Sequence, residues 1–249
     1  MRVLRVAQTV YPDVTGGGAY HVHAMSRDQA AAGHDVTVLT VAGDADAPRR
    51  ESRAGYTLLR RPATVEPLGN AVSVGVAREL ARAGAYDVVH AHSHLYFSTN
   101  LAALRRRLRG PPLAVTNHGL YSQTAPEAVF DAYLRTLGRA TFDSADTVLC
   151  YTDADRDRLR ELGVRTDVTV VPNGVDTDRF TPTGPASDRV PSGPGPLVLF
   201  VGRLVEGKRP RHAVRALAHV RERTGLDARL AVAGEGPLRG AVADLAADL

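Results

Sequence analysis

The chain has 249 residues, 44% of them hydrophobic and 23% charged, a balance near the globular average and a length of about two domains. No stretch approaches the ~20 apolar residues of a membrane span, and the start MRVLRVAQTV lacks the apolar core and cleavage site of a secretory signal. The single cysteine, Cys150, excludes intrachain disulfides and CxxC zinc or redox motifs and fits a reducing cytoplasm, while a net charge of +4 permits anionic partners without requiring them.

The pattern in chain order is β then α, repeatedly. Val3–Val10 reads as a strand, followed by Gly16-Gly17-Gly18 and a helix over Ala19–Ala32 that Gly33 stops. Asp35–Val41 alternates and is β-branched, hence a strand, and Tyr56–Arg61 is a weaker one. A helix over Ala71–Ala83 precedes a buried-type strand, Asp87–Ala91, and a helix over Leu95–Leu108 precedes the strand Pro112–Asn117. Glu127–Asp143 is a long helix, Thr147–Tyr151 a strand, Asp153–Leu162 a helix with Asp153 at its start, and Val168–Val171 a strand. Such alternation predicts a mostly parallel sheet covered on both faces. Residues 172–196, and 181–196 above all, carry the prolines and glycines of a linker. Beyond it Leu197–Val201, Arg211–Arg223, Ala228–Ala233 and a helix from Pro237 restart the rhythm. The expected division is an N-terminal Rossmann-like domain over 1–171, the linker, and the opening of a second such domain over 197–249.

Each candidate site has a plain alternative. Gly16, Gly17 and Gly18 stand between strand and helix, where free amides hold anions, although His21 occupies the place of the last glycine in GxGxxG; a flexible turn explains them equally. His90, His92 and His94 alternate at a strand end and could share one face, so zinc is conceivable, but polar lining of a cleft is the better reading. Asn117-His118-Gly119 also ends a strand, where open parallel sheets bind ligands, and a histidine there suits hydrogen bonding or proton transfer near neutrality. Gly202–Arg209 nearly spells GxxxxGK[ST], but Arg209 replaces the hydroxyl that would hold Mg²⁺. Cations at that helix entrance are electrostatically misplaced without an anion, and Lys208 is the only lysine among 31 basic residues. Gly234-Glu235-Gly236-Pro237 ends the last strand, as a turn or as the border of a nucleotide. Arg105, Arg106, Arg107 and Arg109 complement a helix C-terminus or form a patch for a membrane surface. Cys150 reads as a buried, inert thiol.

In order, the glycine loop, DVVHAHS, TNHG, PNGVD, FVGRLVEGK and AGEGP resemble the retaining glycosyltransferases of the GT-B fold, family 4, over essentially the whole chain. The resemblance implies two Rossmann-like domains facing a cleft, with a nucleotide-diphosphate sugar held mainly by the second. It implies that Gly16 and Gly17 lie near the donor diphosphate or the acceptor and that His118 touches the sugar near the reacting carbon. His92 and Asn117 would line the same cleft. Arg203 and Lys208 would bind the diphosphate, and Gly234, Glu235 and Gly236 would border the nucleotide. Attack on the same face as the departing diphosphate is implied, with no metal and no cofactor beyond the co-substrate. The acceptor would be a sugar, a lipid-linked sugar or a small polyol, and the setting the cytoplasm or a peripheral position on the inner membrane face, without nucleic acid. The family's Glu-x7-Glu motif is absent, since no two glutamates lie eight positions apart. The expectation is therefore an N-terminal portion, inactive in sugar transfer by itself. A P-loop-like NTPase and a non-catalytic sugar- or lipid-binding or assembly module are the alternatives.

Overall fold

The computed structural model describes residues 1–42, 46–67, 70–120, 127–185, 187, 190 and 193–249. It divides into two compact units, Met1–Gly174 and Val175–Leu249. Between Val170 and Leu197 the described residues form no helix or strand.

The first unit is one eight-stranded sheet: β1 (Arg2–Val6), β2 (Asp35–Ala42), β3 (Arg50–Arg53), β4 (Tyr56–Pro62), β5 (Val88–His92), β6 (Leu113–Thr116), β7 (Thr147–Cys150) and β8 (Val168–Val170). Their spatial order is β3-β4-β2-β1-β5-β6-β7-β8, all parallel except β3, which pairs antiparallel with β4. The helices are α1 (Gly17–Ala31), α2 (Val74–Ala81), α3 (Phe97–Arg107), α4 (Glu127–Tyr133), α5 (Arg139–Phe142) and α6 (Asp153–Glu161). A π-helical turn, Leu134–Gly138, joins α4 to α5, so the long helix expected over Glu127–Asp143 carries a bulge.

Alternation along the strands sends successive side chains to opposite faces. Leu4, Val6, Leu39, Val89, Ala91, Val115 and Val148 pack on one side with Val76 and Leu80 of α2, Ala102 and Ala103 of α3, and Phe142 of α5. Val3, Ala7, Val36, Val38, Tyr56 and Leu58 pack on the other with Val22 of α1. Each fully buried Val or Leu contributes about 1.5–3 kcal/mol, so this two-sided core dominates the unit.

Several expected boundaries move for identifiable reasons. β1 ends at Val6 rather than Val10. α1 begins at Gly17, placing Gly17 and Gly18 in its first turn, with Gly16 as an extended N-cap. α2 begins at Val74 because Ser73 Oγ caps it, accepting from Val76 N at 3.2 Å. The start of α6 does not move: Asp153 is its first helical residue, as expected, and Thr152 caps it in a reciprocal box with Asp155. β3, absent from the sequence reading, joins β4 through Ala54-Gly55, both at positive φ as a tight two-residue hairpin turn demands.

The second unit has two parallel strands, β9 (Leu197–Val201) and β10 (Arg229–Ala233), with α7 (Pro210–Thr224) and α8 (Arg239–Asp248). Pro210 opens α7 and Gly225, in the left-handed region, closes it.

Candidate functional site

In the first unit β1 lies between β2 and β5, so the chain leaves β1 in one direction across the sheet and later returns to its other side. This is the switch point at which open parallel sheets bind ligands, outside the carboxyl ends of their strands. The segments after β1, β5, β6 and β7 bring Gly16–Gly18, His92, His118 and Tyr151 to that edge.

His118 is the hub. Its Nε2 lies 3.1 Å from His92 Nδ1, and its Nδ1 lies 2.9 Å from Tyr151 Oη. The His21 ring, from the first turns of α1, meets His118, His92 and Tyr151 edge-on at centroid distances of 5.4, 5.6 and 5.8 Å. Gly18 backs onto the imidazole: a Cβ there would sit 3.6 Å from His118 Nδ1. At Gly16 and Gly17 an added Cβ would meet nothing within 4 Å among the described residues, so packing by those residues does not require these glycines and leaves the start of α1 open to an approaching group. Asn117 is buried and shapes the loop, its Oδ1 accepting from Gly119 N at 3.1 Å while Gly119 takes φ +135°.

Behind this hub the histidine run divides. His90 and His92 share a face, with ring centroids 4.4 Å apart. Ser93, at φ +64°, breaks the alternation and turns His94 to the opposite side, where it packs 4.8 Å from Phe142. The three imidazoles that strict alternation would align therefore do not converge. His90 Nε2 is 2.7 Å from Thr116 Oγ1, and its Nδ1 is 3.4 Å from Arg5 Nη2. Arg5 is fully buried, donating to Ser26 Oγ and Gln29 Oε1, both at 2.7 Å.

Burial decides the charge state. It lowers His118 to about 4, with His21 adding to the effect. His92 is pushed well below its usual value by burial, then by His90 and Arg5, and His21 is lowered by burial and Arg5. Burial also lifts the Tyr151 phenol to about 12. At neutral pH the hub is uncharged, so His118 acts as a hydrogen-bonding group rather than as an acid titrating near neutrality, which revises the expectation from its reference pKa. Among the described residues no group of three His, Cys, Asp or Glu is arranged to hold a metal ion.

The sequence reading found His118, His92 and the glycines. It treated His21 only as a defect in a glycine fingerprint and left Tyr151 unremarked. Tyr151 directly follows β7, and that position at a strand's carboxyl end was the available signal. Cys150, just before it, is fully buried and its thiol is raised by burial.

In the second unit, Glu206–Lys208 forms a 3₁₀ turn and Arg209, at φ +53°, caps α7. The loops after β9 and β10 are laced by Leu204 N to Glu235 O (2.8 Å) and Gly202 N to Ala233 O (3.0 Å). A Cβ on Gly234 would overlap Gly202 O, and one on Gly236 would overlap Leu204 O. Backbone packing alone thus demands these two glycines. Arg203 and Lys208 belong to the segment between β9 and α7, and Glu235 pairs with Arg239 at 3.2 Å.

The basic run at the end of α3 is engaged internally. Arg106 grips Asp146 with two 2.7 Å bonds, Arg107 reaches Ser144 Oγ, and Arg105 reaches Leu80 O. No helix of the described residues is long and apolar enough to cross a membrane.

Residues 15–179 match the sequence profile of Glycosyltransferase Family 4. The chain belongs to this family. It is 38% identical over 179 residues to the D-inositol 3-phosphate glycosyltransferase of Actinosynnema mirum, a match covering 65% of this chain and 42% of that protein. It is 30% identical over 267 residues to the glycogen synthase of Mycobacterium tuberculosis, covering 95% of this chain and 62% of the other. The chain thus spans about half the length of the relatives it matches. Among solved structures, sucrose-phosphate synthase of Thermosynechococcus elongatus superposes with a TM-score of 0.72 at 20% identity, over 98% of this chain and 65% of that one. The fold is the α/β GT-B type, as the sequence motifs imply. Family membership does not favour the P-loop NTPase or the non-catalytic module.

Proposed function

We propose that this chain serves a retaining glycosyltransferase that moves a sugar from a nucleotide-diphosphate sugar to an acceptor hydroxyl. The observation carrying this reading is the convergence of the open glycines, His92, His118 and Tyr151 at the switch point of a parallel sheet in a family 4 chain. An uncharged, hydrogen-bonding hub suits a sugar, which offers hydroxyls to be oriented and little charge. In the first unit, His118 and its neighbours face the transferred sugar, and the free amides at the start of α1 favour a negatively charged oxygen. In the second unit, Arg203 and Lys208 bind the donor diphosphate, and Gly234–Gly236 border the nucleotide. Stabilising the departing diphosphate with cations and amides is the chief catalytic contribution, as such preorganised electrostatics usually are. No resident cofactor takes part in this scheme. The acceptor is a sugar, a lipid-linked sugar or a small polyol. A peripheral membrane contact gains little support, because Arg105, Arg106 and Arg107 are engaged within the fold.

Calorimetric titration with UDP- and GDP-sugars tests the donor part. Each charge-assisted bond is worth about 1.5–3 kcal/mol, so Lys208→Ala should weaken donor binding roughly ten- to a hundredfold. Unchanged affinity in Lys208→Ala would remove that residue from the donor site. No binding of any nucleotide sugar by the native chain, with its fold intact, would count against a self-sufficient donor site.

A further inference from the structure

The row His92–His118–Tyr151 has a direction, and that direction decides which group of the site carries a spare proton. His92 and His118 are both neutral near pH 7, the first held so by burial, His90 and Arg5 and the second by burial and His21. Each ring therefore has one N–H and one lone pair. Two arrangements satisfy the observed 3.1 and 2.9 Å contacts. In the first, Tyr151 donates to His118 Nδ1, His118 Nε2–H donates to His92 Nδ1, and His92 keeps its proton on Nε2. That nitrogen is buried with no hydrogen-bond partner among the described residues, so an N–H would be stranded in the interior. In the second, His92 Nδ1–H donates to His118 Nε2, His118 Nδ1–H donates to Tyr151 Oη, and His92 Nε2 is a bare lone pair. In the main chain, stranded buried N–H groups are rarer than under-used acceptors, and the same preference applied to the imidazole selects the second arrangement. The proton left over then sits on Tyr151, which is only partly buried and fully protonated at neutral pH.

We propose that Tyr151, with His92, is a positioning residue that locks His118 as its Nδ1–H tautomer, and that the Tyr151 hydroxyl is the donor this row offers to a sugar hydroxyl. Both nitrogens of His118 are occupied in this arrangement, so His118 presents its ring edge while the phenol presents the proton. The ligand clause rests on the glycosyl-transfer reading above; the tautomer does not.

The test is the ring-nitrogen spectrum of the ¹⁵N-labelled 249-residue chain at pH 7.5, read through two- and three-bond couplings, with His118→Gln and His92→Gln spectra giving the assignments. The native chain should show His118 and His92 each protonated on Nδ1 alone. Tyr151→Phe removes the acceptor of the His118 N–H. It should replace that single tautomer by a mixture while the far-UV circular dichroism stays native. A native His118 protonated on Nε2, or averaging between tautomers, would overturn the proposal, as would a Tyr151→Phe pattern identical to the native one. If Tyr151→Phe does not fold, the native spectrum alone decides. A correct tautomer in a chain that binds no nucleotide sugar would leave the proton assignment standing and sink the ligand clause with the functional reading.

Discussion

Replacing His94 by phenylalanine should make the first unit more stable and less sensitive to acid. His94 is fully buried, 4.8 Å from the Phe142 ring and 6.2 Å from that of Tyr133, with Gly138 of the π turn against its edge. Neither ring nitrogen has a hydrogen-bond partner among the described residues. Burial, with His118 second, lowers its pKa to about 3. Below pH 6.5 the unfolded chain therefore takes up a proton that the folded chain refuses. The stabilising effect of the neutral ring is complete above 6.5 and is lost as the pH falls toward 3. One pH unit corresponds to about 1.4 kcal/mol, so at pH 5.0 the loss is about 2 kcal/mol. His94→Phe abolishes that loss and removes two unsatisfied nitrogens, each costly to bury, against a small penalty for the larger ring. The assay is urea unfolding at pH 7.5 and 5.0, followed by circular dichroism because the chain has no tryptophan. The stability difference between the two pH values should shrink by about 2 kcal/mol in the variant. The other histidines with lowered pKa, His90, His92 and His118 among them, and the ion-paired carboxylates such as Asp13 keep the variant acid-sensitive. An unchanged difference would show that His94 titrates normally, and hence that its ring is hydrated or hydrogen-bonded.

Two further outcomes follow from the packing around the candidate site. Asp13 accepts from Arg60 Nε at 2.7 Å and from Arg53 Nη2 at 2.9 Å, which ties the segment before the glycine loop to β3 and β4. Burial raises its pKa, but the bonds from Arg60 and Arg53 outweigh this and hold it low. Arg60 is almost fully buried, so Asp13→Asn should cost about 2 kcal/mol in urea unfolding at pH 7.5; equal stability would mean that Glu51 suffices as its partner. Gly234→Ala should abolish amide-exchange protection in β9 and β10, because a methyl would overlap Gly202 O, whereas Gly16→Ala should leave the protection of β1 and β2 intact. Native protection in Gly234→Ala would show that those loops can part without cost.

The sheet was legible wherever burial forced a strand to be apolar or β-branched. β1, β2, β5, β6 and β7 are flanked on both sides, so apolar and β-branched residues dominate them apart from Arg2 and Arg5 of β1, Asp35 of β2 and the histidines of β5, and periodicity finds them. β3 is Arg-Glu-Ser-Arg at the sheet's edge, where a polar strand discourages further pairing. Its exposure erased the very pattern that reveals strands, and Ala54-Gly55 was its one trace. Helix starts were misplaced where a cap outweighed propensity, as at Ser73, or where glycine entered a helix, as at Gly17, whereas the start of α6 at Asp153 was legible.

The site was legible only in part, because its members are joined by strand order and not by spacing. His118 and His92 stand out at strand ends, but their contact requires β5 to lie beside β6, and the approach of His21 requires the start of α1 to reach the carboxyl ends of those strands. No local pattern contains that information. Spacing misled once: a period of two extended through Ser93 groups His94 with His90 and His92, and one residue at φ +64° separates them. Chemistry changed as well. A histidine read in sequence carries a pKa near neutrality and invites a proton-transfer role, yet burial drives His118 to about 4. Burial sets this shift, with His21 second. Among the described residues the hydrogen-bonded and ring-contact partners of His118 are imidazoles and a phenol. On the proposed glycosyl-transfer reading, such partners suit the orientation of sugar hydroxyls, a task that neutral donors and acceptors perform without changing their own protonation.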